Sequence, residues 1–223
     1  IIVGICGLGD VGLGVIALLS EGGDVLSNRV GGTFELVQVA TRTPKPEVDT
    51  LGARDSRDVF DVARDPDVDV LIELIGGTTV AKDLVVEALN HGKHVVTANK
   101  ALLADHGDEL FALAESKGVA LRFEAAVAGG IPVIEAVKTS LAGNHVSSVA
   151  GIINGTGNFL LTEMAAKGRE FSDVLAEAQA LGYAEADPTF DVDGTDAAQK
   201  LVLLASLAFG ARIDPDAPFK HCL

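Results

Sequence analysis

Three glycines, Gly7, Gly9 and Gly12, stand directly behind an apolar run at residues 1–6 and constrain this chain more than any other feature. The spacing is G-x-G-x-x-G. It falls between a β-branched strand pattern and a helical pattern over residues 10–20, carried by Val11, Val15, Leu18 and Leu19. In such a turn each glycine has its own task. Gly7 allows the sharp reversal, Gly9 lets the backbone approach a pyrophosphate, and Gly12 permits close packing of helix on strand. The positive end of the helix then attracts the anion. Leu8, Asp10 and Val11 belong to the same turn, so all six residues from Gly7 to Gly12 are expected at a dinucleotide. The apolar start lacks a basic leader and runs straight into the glycines, so it reads as a strand and not as a signal peptide.

The alternation of strand and helix patterns continues. Residues 34–41, 68–74, 94–97 and 119–123 read as strands, and residues 80–90 and 105–117 as helices, with Gly92 closing the first of these. Residues 28–32 and 42–49 read as turns. Such alternation predicts an α/β fold, a doubly wound parallel sheet of the Rossmann type with crossover helices on both faces. It is assigned to residues 1–130. At Gly129-Gly130-Ile131-Pro132 the pattern changes. A helix from Pro132 to about residue 141, a strand over 146–153 and helices over 159–167, 172–181 and 193–209 then predict an incomplete α+β substrate domain over residues 131–223.

Ligands of an open α/β sheet bind beyond the carboxyl ends of its strands. After the second strand pattern, where an acidic residue would accept hydrogen bonds from the ribose of NAD, the sequence is Val39-Ala-Thr-Arg42-Thr-Pro-Lys45. Arg42 and Lys45 suit the 2′-phosphate of NADP instead. NADP is therefore the expected cofactor, with NAD as the alternative. Glu73-Leu-Ile-Gly76-Gly77-Thr78 carries a third strand into a glycine loop, and Thr78 offers a hydroxyl to the cofactor or a helix cap. Lys100, in Val95-Val-Thr97-Ala-Asn99-Lys100, points to the same crevice as a contact for the cofactor or the reacting oxygen.

Charge narrows the partners. There are 32 acidic and 17 basic residues, a formal net charge of −15. Nucleic acids and anionic membranes both require Lys and Arg to meet phosphate, so neither is an expected partner. No apolar run approaches the about 20 residues of a membrane span. The two cysteines, Cys6 and Cys222, make no disulfide framework, which fits a reducing cytoplasm. His91, His94, His106, His145 and His221 form no ligand cluster with cysteines or acids, so no transition-metal site is indicated.

The most chemistry-dense stretch is Gly182-Tyr-Ala-Glu-Ala-Asp-Pro-Thr-Phe-Asp-Val-Asp-Gly-Thr-Asp-Ala-Ala-Gln-Lys200. It gathers Glu185, Asp187, Asp191, Asp193 and Asp196, then places Lys200 four residues after Asp196, on the same face of a helix. Carboxylates that can grip an ammonium, beside an amine that can move a proton, form a pocket suited to a small amino acid.

Taken together, GLGDVG (7–12), ELIGGT (73–78), HVVTANKALLADHG (94–107), FEAAVAGGIP (123–132), INGTGNF (153–159) and GYAEADPTFDVDGTDAAQK (182–200) resemble the homoserine dehydrogenase family. The resemblance implies reversible NAD(P)-linked oxidation of L-homoserine to L-aspartate 4-semialdehyde, on the route to threonine, methionine and isoleucine. It implies that Glu185 and Asp196 hold the substrate, with Asp191 beside them, and that Lys200 is the proton donor. Lys100 is implied as a second catalytic lysine near cofactor and substrate, and Gly182 as a backbone contact to the cofactor. A monovalent cation, usually sodium, is implied on the main-chain oxygens of Glu124, Val127, Gly129 and Ile131. The family forms homodimers through segments that continue past the Lys200 helix. This chain ends at Leu223, and Pro218-Phe-Lys-His-Cys-Leu223 does not resemble a family terminus, which makes a truncated piece the expectation. Two other functions compete. One is a catalytically inactive nucleotide-binding fragment of the same family. The other is aspartate-semialdehyde dehydrogenase, which would need a cysteine nucleophile that neither Cys6 nor Cys222 is placed to provide.

Overall fold

A computed structural model describes residues 1–214 and Asp216. The readings for His221, Cys222 and the 218–223 segment lie outside the described residues. The chain divides into two compact units, Ile1–Gly129 and Gly130–Leu223.

The first unit is a six-stranded, all-parallel sheet. Its strands are β1 (Ile2–Cys6), β2 (Glu35–Ala40), β3 (Arg54–Ser56), β4 (Val70–Glu73), β5 (His94–Thr97) and β6 (Leu121–Arg122). The order β3-β2-β1-β4-β5-β6 reverses direction between β1 and β4, which makes their carboxyl ends the switch point of the sheet. The crossovers are α1 (Asp10–Glu21), α2 (Gly23–Val30), α3 (Val59–Arg64), α4 (Val80–Asn90) and α5 (Lys100–Lys117). Helix α4 shows why the sequence folds this way. Ala81, Leu84, Val85, Ala88 and Leu89 repeat at helical spacing, and all five are buried. A Cβ at Gly4 would collide with the Val62 side chain, so the missing side chain lets α3 lie close on β1.

Several sequence expectations differ in detail. Residues 28–32, read as a turn, begin inside α2. The short β3 and α3 were not anticipated, because Arg54-Asp-Ser56 carries no alternation of apolar and polar residues. Helix α5 starts at Lys100 and not at residue 105, because the Asn99 side chain accepts a hydrogen bond from the Leu102 N–H at 3.1 Å and caps it.

At the amino end of the strands Lys93 is 3% exposed, and its ammonium donates to the carbonyls of Asp65 and, at 2.8 Å, Val68. Burial lowers its pKa from the ordinary value. Lys93→Met leaves both carbonyls without this donor and is expected to cost about 1–3 kcal/mol. Thermal unfolding will read that loss as a lower Tm. Cofactor affinity, which depends on the opposite edge of the sheet, should not change.

The second unit contains α6 (Val133–Glu135), which continues as a π-helical turn over Ala136–Ser140, then α7 (Gly155–Lys167), α8 (Phe171–Ala180), α9 (Thr189–Val192) and α10 (Thr195–Phe209). Leu160, Val174, Ala178 and Ala184 form its buried cluster. Residues 146–153, expected as a strand, are irregular, and Ile152 is 78% exposed. Their β-branched composition suits a strand, but a strand needs a neighbour to bond with. Among the described residues every strand lies in the first unit.

Candidate active site

The glycine turn forms at the switch point. Gly7 adopts φ +106°, and its N–H donates to the Ala40 carbonyl at 2.8 Å, while the Leu74 N–H donates to the Cys6 carbonyl at 2.8 Å. The ends of β1, β2 and β4 are thereby tied around one glycine. A Cβ at Gly12 would meet the Gly7 carbonyl oxygen, so Gly12 is the close-packing position. Gly9 precedes α1 and has no atom within 4 Å of where its Cβ would be. No side chain caps α1, so the first N–H groups of that helix have no side-chain acceptor. Open space, free backbone donors and a helix N-terminus together suit a pyrophosphate. Leu8 is buried in the core, so only its backbone can serve a ligand, whereas Asp10 and Val11 are exposed.

Beyond β2, Arg42 is exposed and Lys45 is partly buried. Sequence reading missed a third cation at this edge, Arg57, which donates to the Thr41 carbonyl at 3.0 Å and is paired with Asp55 at 2.9 Å. Only the sheet pairing of β3 with β2 brings it there.

The ELIGGT loop is organised by a residue that sequence reading treated as the end of a strand. Glu73 is fully buried. One of its oxygens accepts from the N–H groups of Ile75 (2.9 Å) and Gly76 (3.2 Å), and the other from the Thr97 hydroxyl (2.5 Å). Thr97 Oγ1 accepts in turn from the Asn99 N–H at 2.9 Å, and the Asn99 amide donates to the Gly77 carbonyl at 2.7 Å. The glycine loop is thus laced to the turn that precedes Lys100. Gly76 and Gly77 sit at φ +70° and +73°, where an L side chain would be strained. Lys100 is the first residue of α5 and is partly buried. Thr78 is not the helix cap: Thr79 holds that position and makes no side-chain capping bond.

The loop expected to offer carbonyls to a cation begins as a 3₁₀ turn over Glu124–Ala126. Ala128 follows at φ +50° and Gly130 at +84°. The Ile131 carbonyl accepts the Val133 N–H at 2.7 Å and keeps one lone pair for another partner.

In the second unit a cavity of about 640 Å³ is lined by residues that include Asn154, Thr156, Gly182, Asp191, Asp196 and Lys200. Asp196 and Lys200 lie one turn apart on α10. The Lys200 ammonium donates to Asp196 Oδ2 at 2.6 Å and to the Ile153 carbonyl at 2.8 Å. Asp196 is 8% exposed, so this is a largely desolvated ion pair in the wall of the cavity. Asn154 donates to Asp191 Oδ1 at 2.8 Å and to Asp196 Oδ2 at 3.0 Å. Sequence reading missed Asn154, because the helix it caps was expected only from residue 159 and begins instead at Gly155. Thr156 holds the acid-rich stretch from behind, its hydroxyl donating to the Tyr183 carbonyl at 2.7 Å. Glu185 is exposed and is not among the lining residues. Asp187, its pKa lowered by hydrogen bonds from the Thr189 hydroxyl and N–H, organises the turn into α9. Asp193 accepts from the Thr195 N–H at 2.8 Å at the start of α10.

Cys6 is buried and its thiol donates to the Val59 carbonyl. Burial first, and then the neighbouring Glu73, push its pKa far up. A thiol held protonated is no nucleophile, which counts against semialdehyde dehydrogenase chemistry at this cysteine.

Residues 7–124 match the family model for the homoserine dehydrogenase NAD binding domain, and residues 132–218 match that for homoserine dehydrogenase. The homoserine dehydrogenase of Pseudomonas aeruginosa is 58% identical over 217 residues, 97% of this chain and 50% of that protein. The crystal structure of a homoserine dehydrogenase from Thiobacillus denitrificans superposes with a TM-score of 0.95 at 47% identity, covering 100% of this chain and 52% of the other. A hyperthermophilic archaeal homoserine dehydrogenase in complex with NADPH superposes with a TM-score of 0.83 at 25% identity, covering 95% of this chain and 70% of the other. The chain spans about half the length of the curated relatives it matches.

Proposed function

The chain belongs to the homoserine dehydrogenase family, and from that premise we propose that it interconverts L-homoserine and L-aspartate 4-semialdehyde with a pyridine dinucleotide. The observation that carries this reading is the Lys200–Asp196 pair at 2.6 Å in the wall of a cavity of about 640 Å³. A bound NADP or NAD supplies or accepts hydride at the carbon that changes oxidation state. The turn Gly7–Gly12, with its open Gly9 and uncapped α1, fits the pyrophosphate. Lys100, Thr78 and the Gly182 backbone are proposed as further cofactor contacts, and Arg42 and Lys45 as the cations that favour NADP.

The protein's own groups have the remaining tasks. Aldehyde reduction leaves a developing alkoxide that needs a cation and a proton. Lys200 supplies both from one ammonium, with Asp196 holding it in place. Asp196 and Asp191, with Glu185 from the exposed part of the same stretch, receive the substrate ammonium. The carbonyls of Glu124, Val127, Gly129 and Ile131 are proposed to take a hard monovalent cation such as sodium. In this reading the protein is a cytoplasmic enzyme of threonine, methionine and isoleucine biosynthesis. A protein of family length is proposed to pair with a second copy. No helix among the described residues is long and apolar enough to cross a membrane.

The test is homoserine-dependent reduction of NADP against NAD at alkaline pH, where release of a proton favours oxidation. It is run on this chain and on one extended to family length. Turnover with NADP, and a lower Kd for NADP than for NAD at low salt, are expected. Cofactor binding with no turnover in either chain would favour an inactive nucleotide-binding module. Equal Kd values would remove the phosphate role from Arg42 and Lys45.

A further inference from the structure

Asn154 uses its side chain in a way that capping alone does not require. It sits in extended conformation immediately before α7, and its Oδ1 accepts the Gly157 N–H at 2.5 Å. That bond caps the helix, and Ser, Thr or Asp would make it about as well. The other end of the amide is what sets asparagine apart. Its two Nδ2 hydrogens go to two different carboxylates, Asp191 on α9 and Asp196 on α10. The orientation of the amide follows from the network, because the flipped group would set an oxygen against two carboxylates and a nitrogen against an N–H. One residue therefore joins the starts of three helices. It also offsets the repulsion of two carboxylates that both lie within hydrogen-bonding reach of a single nitrogen. Asp196 Oδ2 receives the Lys200 ammonium as well.

We propose that Asn154 is the positioning residue of this pocket: its amide holds Asp191 and Asp196 at a spacing that lets both face one substrate ammonium, while Lys200 stays on Asp196. The inference rests on the homoserine dehydrogenase reading and goes beyond it by giving a role to a residue whose amide is already committed to two carboxylates and a backbone N–H. Without the amide the two carboxylates separate, one ammonium no longer meets both, and substrate binding weakens. Asn154→Ser keeps an oxygen for the cap and deletes the carboxylate donors, so it divides the two roles. Asn154→Asp also keeps the cap but adds a third negative charge.

The experiment measures L-homoserine Kd by calorimetry, NADPH Kd and Tm for wild type and both variants, with KM for each substrate where the protein turns over. Losing hydrogen bonds to charged groups should raise the homoserine Kd and KM roughly ten- to hundred-fold in Asn154→Ser, and further in Asn154→Asp. The NADPH Kd should stay put, and Tm reports any structural defect. A homoserine Kd in Asn154→Ser equal to wild type overturns the proposal. If either variant is also destabilised, a double-mutant cycle with Asp191→Asn decides. Strong coupling supports positioning through Asp191, and additive effects overturn it. Wild-type protein that binds NADPH but no homoserine would instead strike the functional reading, and this inference with it.

Discussion

Lys200→Ala is expected to lower turnover about 10²–10⁴-fold, the range over which a positioned proton donor contributes to rate. That is roughly 3–5 kcal/mol of transition-state stabilisation. Alanine removes more than a proton. It leaves the largely buried Asp196 and the Ile153 carbonyl without the partner they have at 2.6 and 2.8 Å, and breaking a buried pair from one side is itself destabilising. Lys200→Arg separates the two effects. A guanidinium keeps the positive charge beside Asp196 and can donate to the same oxygens, but it does not give up a proton in proteins. The arginine variant should therefore lose turnover nearly as far as the alanine variant while keeping a Tm close to wild type and an unchanged NADPH Kd. The difference between the two variants measures how much of the alanine effect is structural. Near-wild-type turnover in Lys200→Arg would remove proton donation from this residue and leave it a purely electrostatic role.

How far the sequence could be read depended on whether a signal was local. Gly7, Gly9 and Gly12 are a local signal, since each acts within one strand–turn–helix, and the sheet forms around them as the spacing implies. The Asp196 to Lys200 spacing is local too, because i and i+4 meet on any helix. The role of Asn154 was not legible, since its amide reaches carboxylates 37 and 42 residues away. Glu73 was not legible for the same reason. Buried carboxylates are rare, and nothing in Val-Leu-Ile-Glu reveals that Thr97 and two loop N–H groups wait for it. Arg57 reaches the edge of β2 only because the charged, three-residue β3 pairs there. The misread 146–153 strand is the converse case. Its residues favour extended backbone, but strand formation depends on a neighbour, and no local pattern reports whether one is present.

The same physics divides the three glycines of the turn into two kinds, and the second large effect follows. Gly7→Ala must hold an L residue at φ +106° and place a Cβ against the Leu74 carbonyl. Backbone strain of about 1–3 kcal/mol adds to an overpacking cost of about 1–3 kcal/mol. Thermal unfolding of the first unit should show a loss of several kcal/mol, and cofactor binding should fail with it. Gly12→Ala meets the Gly7 carbonyl and should behave alike, without the strain in φ. Gly9→Ala is different in kind. Gly9 has φ −74°, which alanine accepts, and no atom lies within 4 Å of the new methyl group. The fold has no use for that space, so stability should change by no more than about 1 kcal/mol. A pyrophosphate resting on the backbone would need it, so the NADPH Kd should rise at least ten-fold while Tm barely moves. Calorimetric titration beside thermal unfolding of the three variants reads this directly. If Gly9→Ala bound NADPH as tightly as wild type, the open space above Gly9 would not be where the pyrophosphate lies. The uncapped N-terminus of α1 would then have to meet its anion from another side.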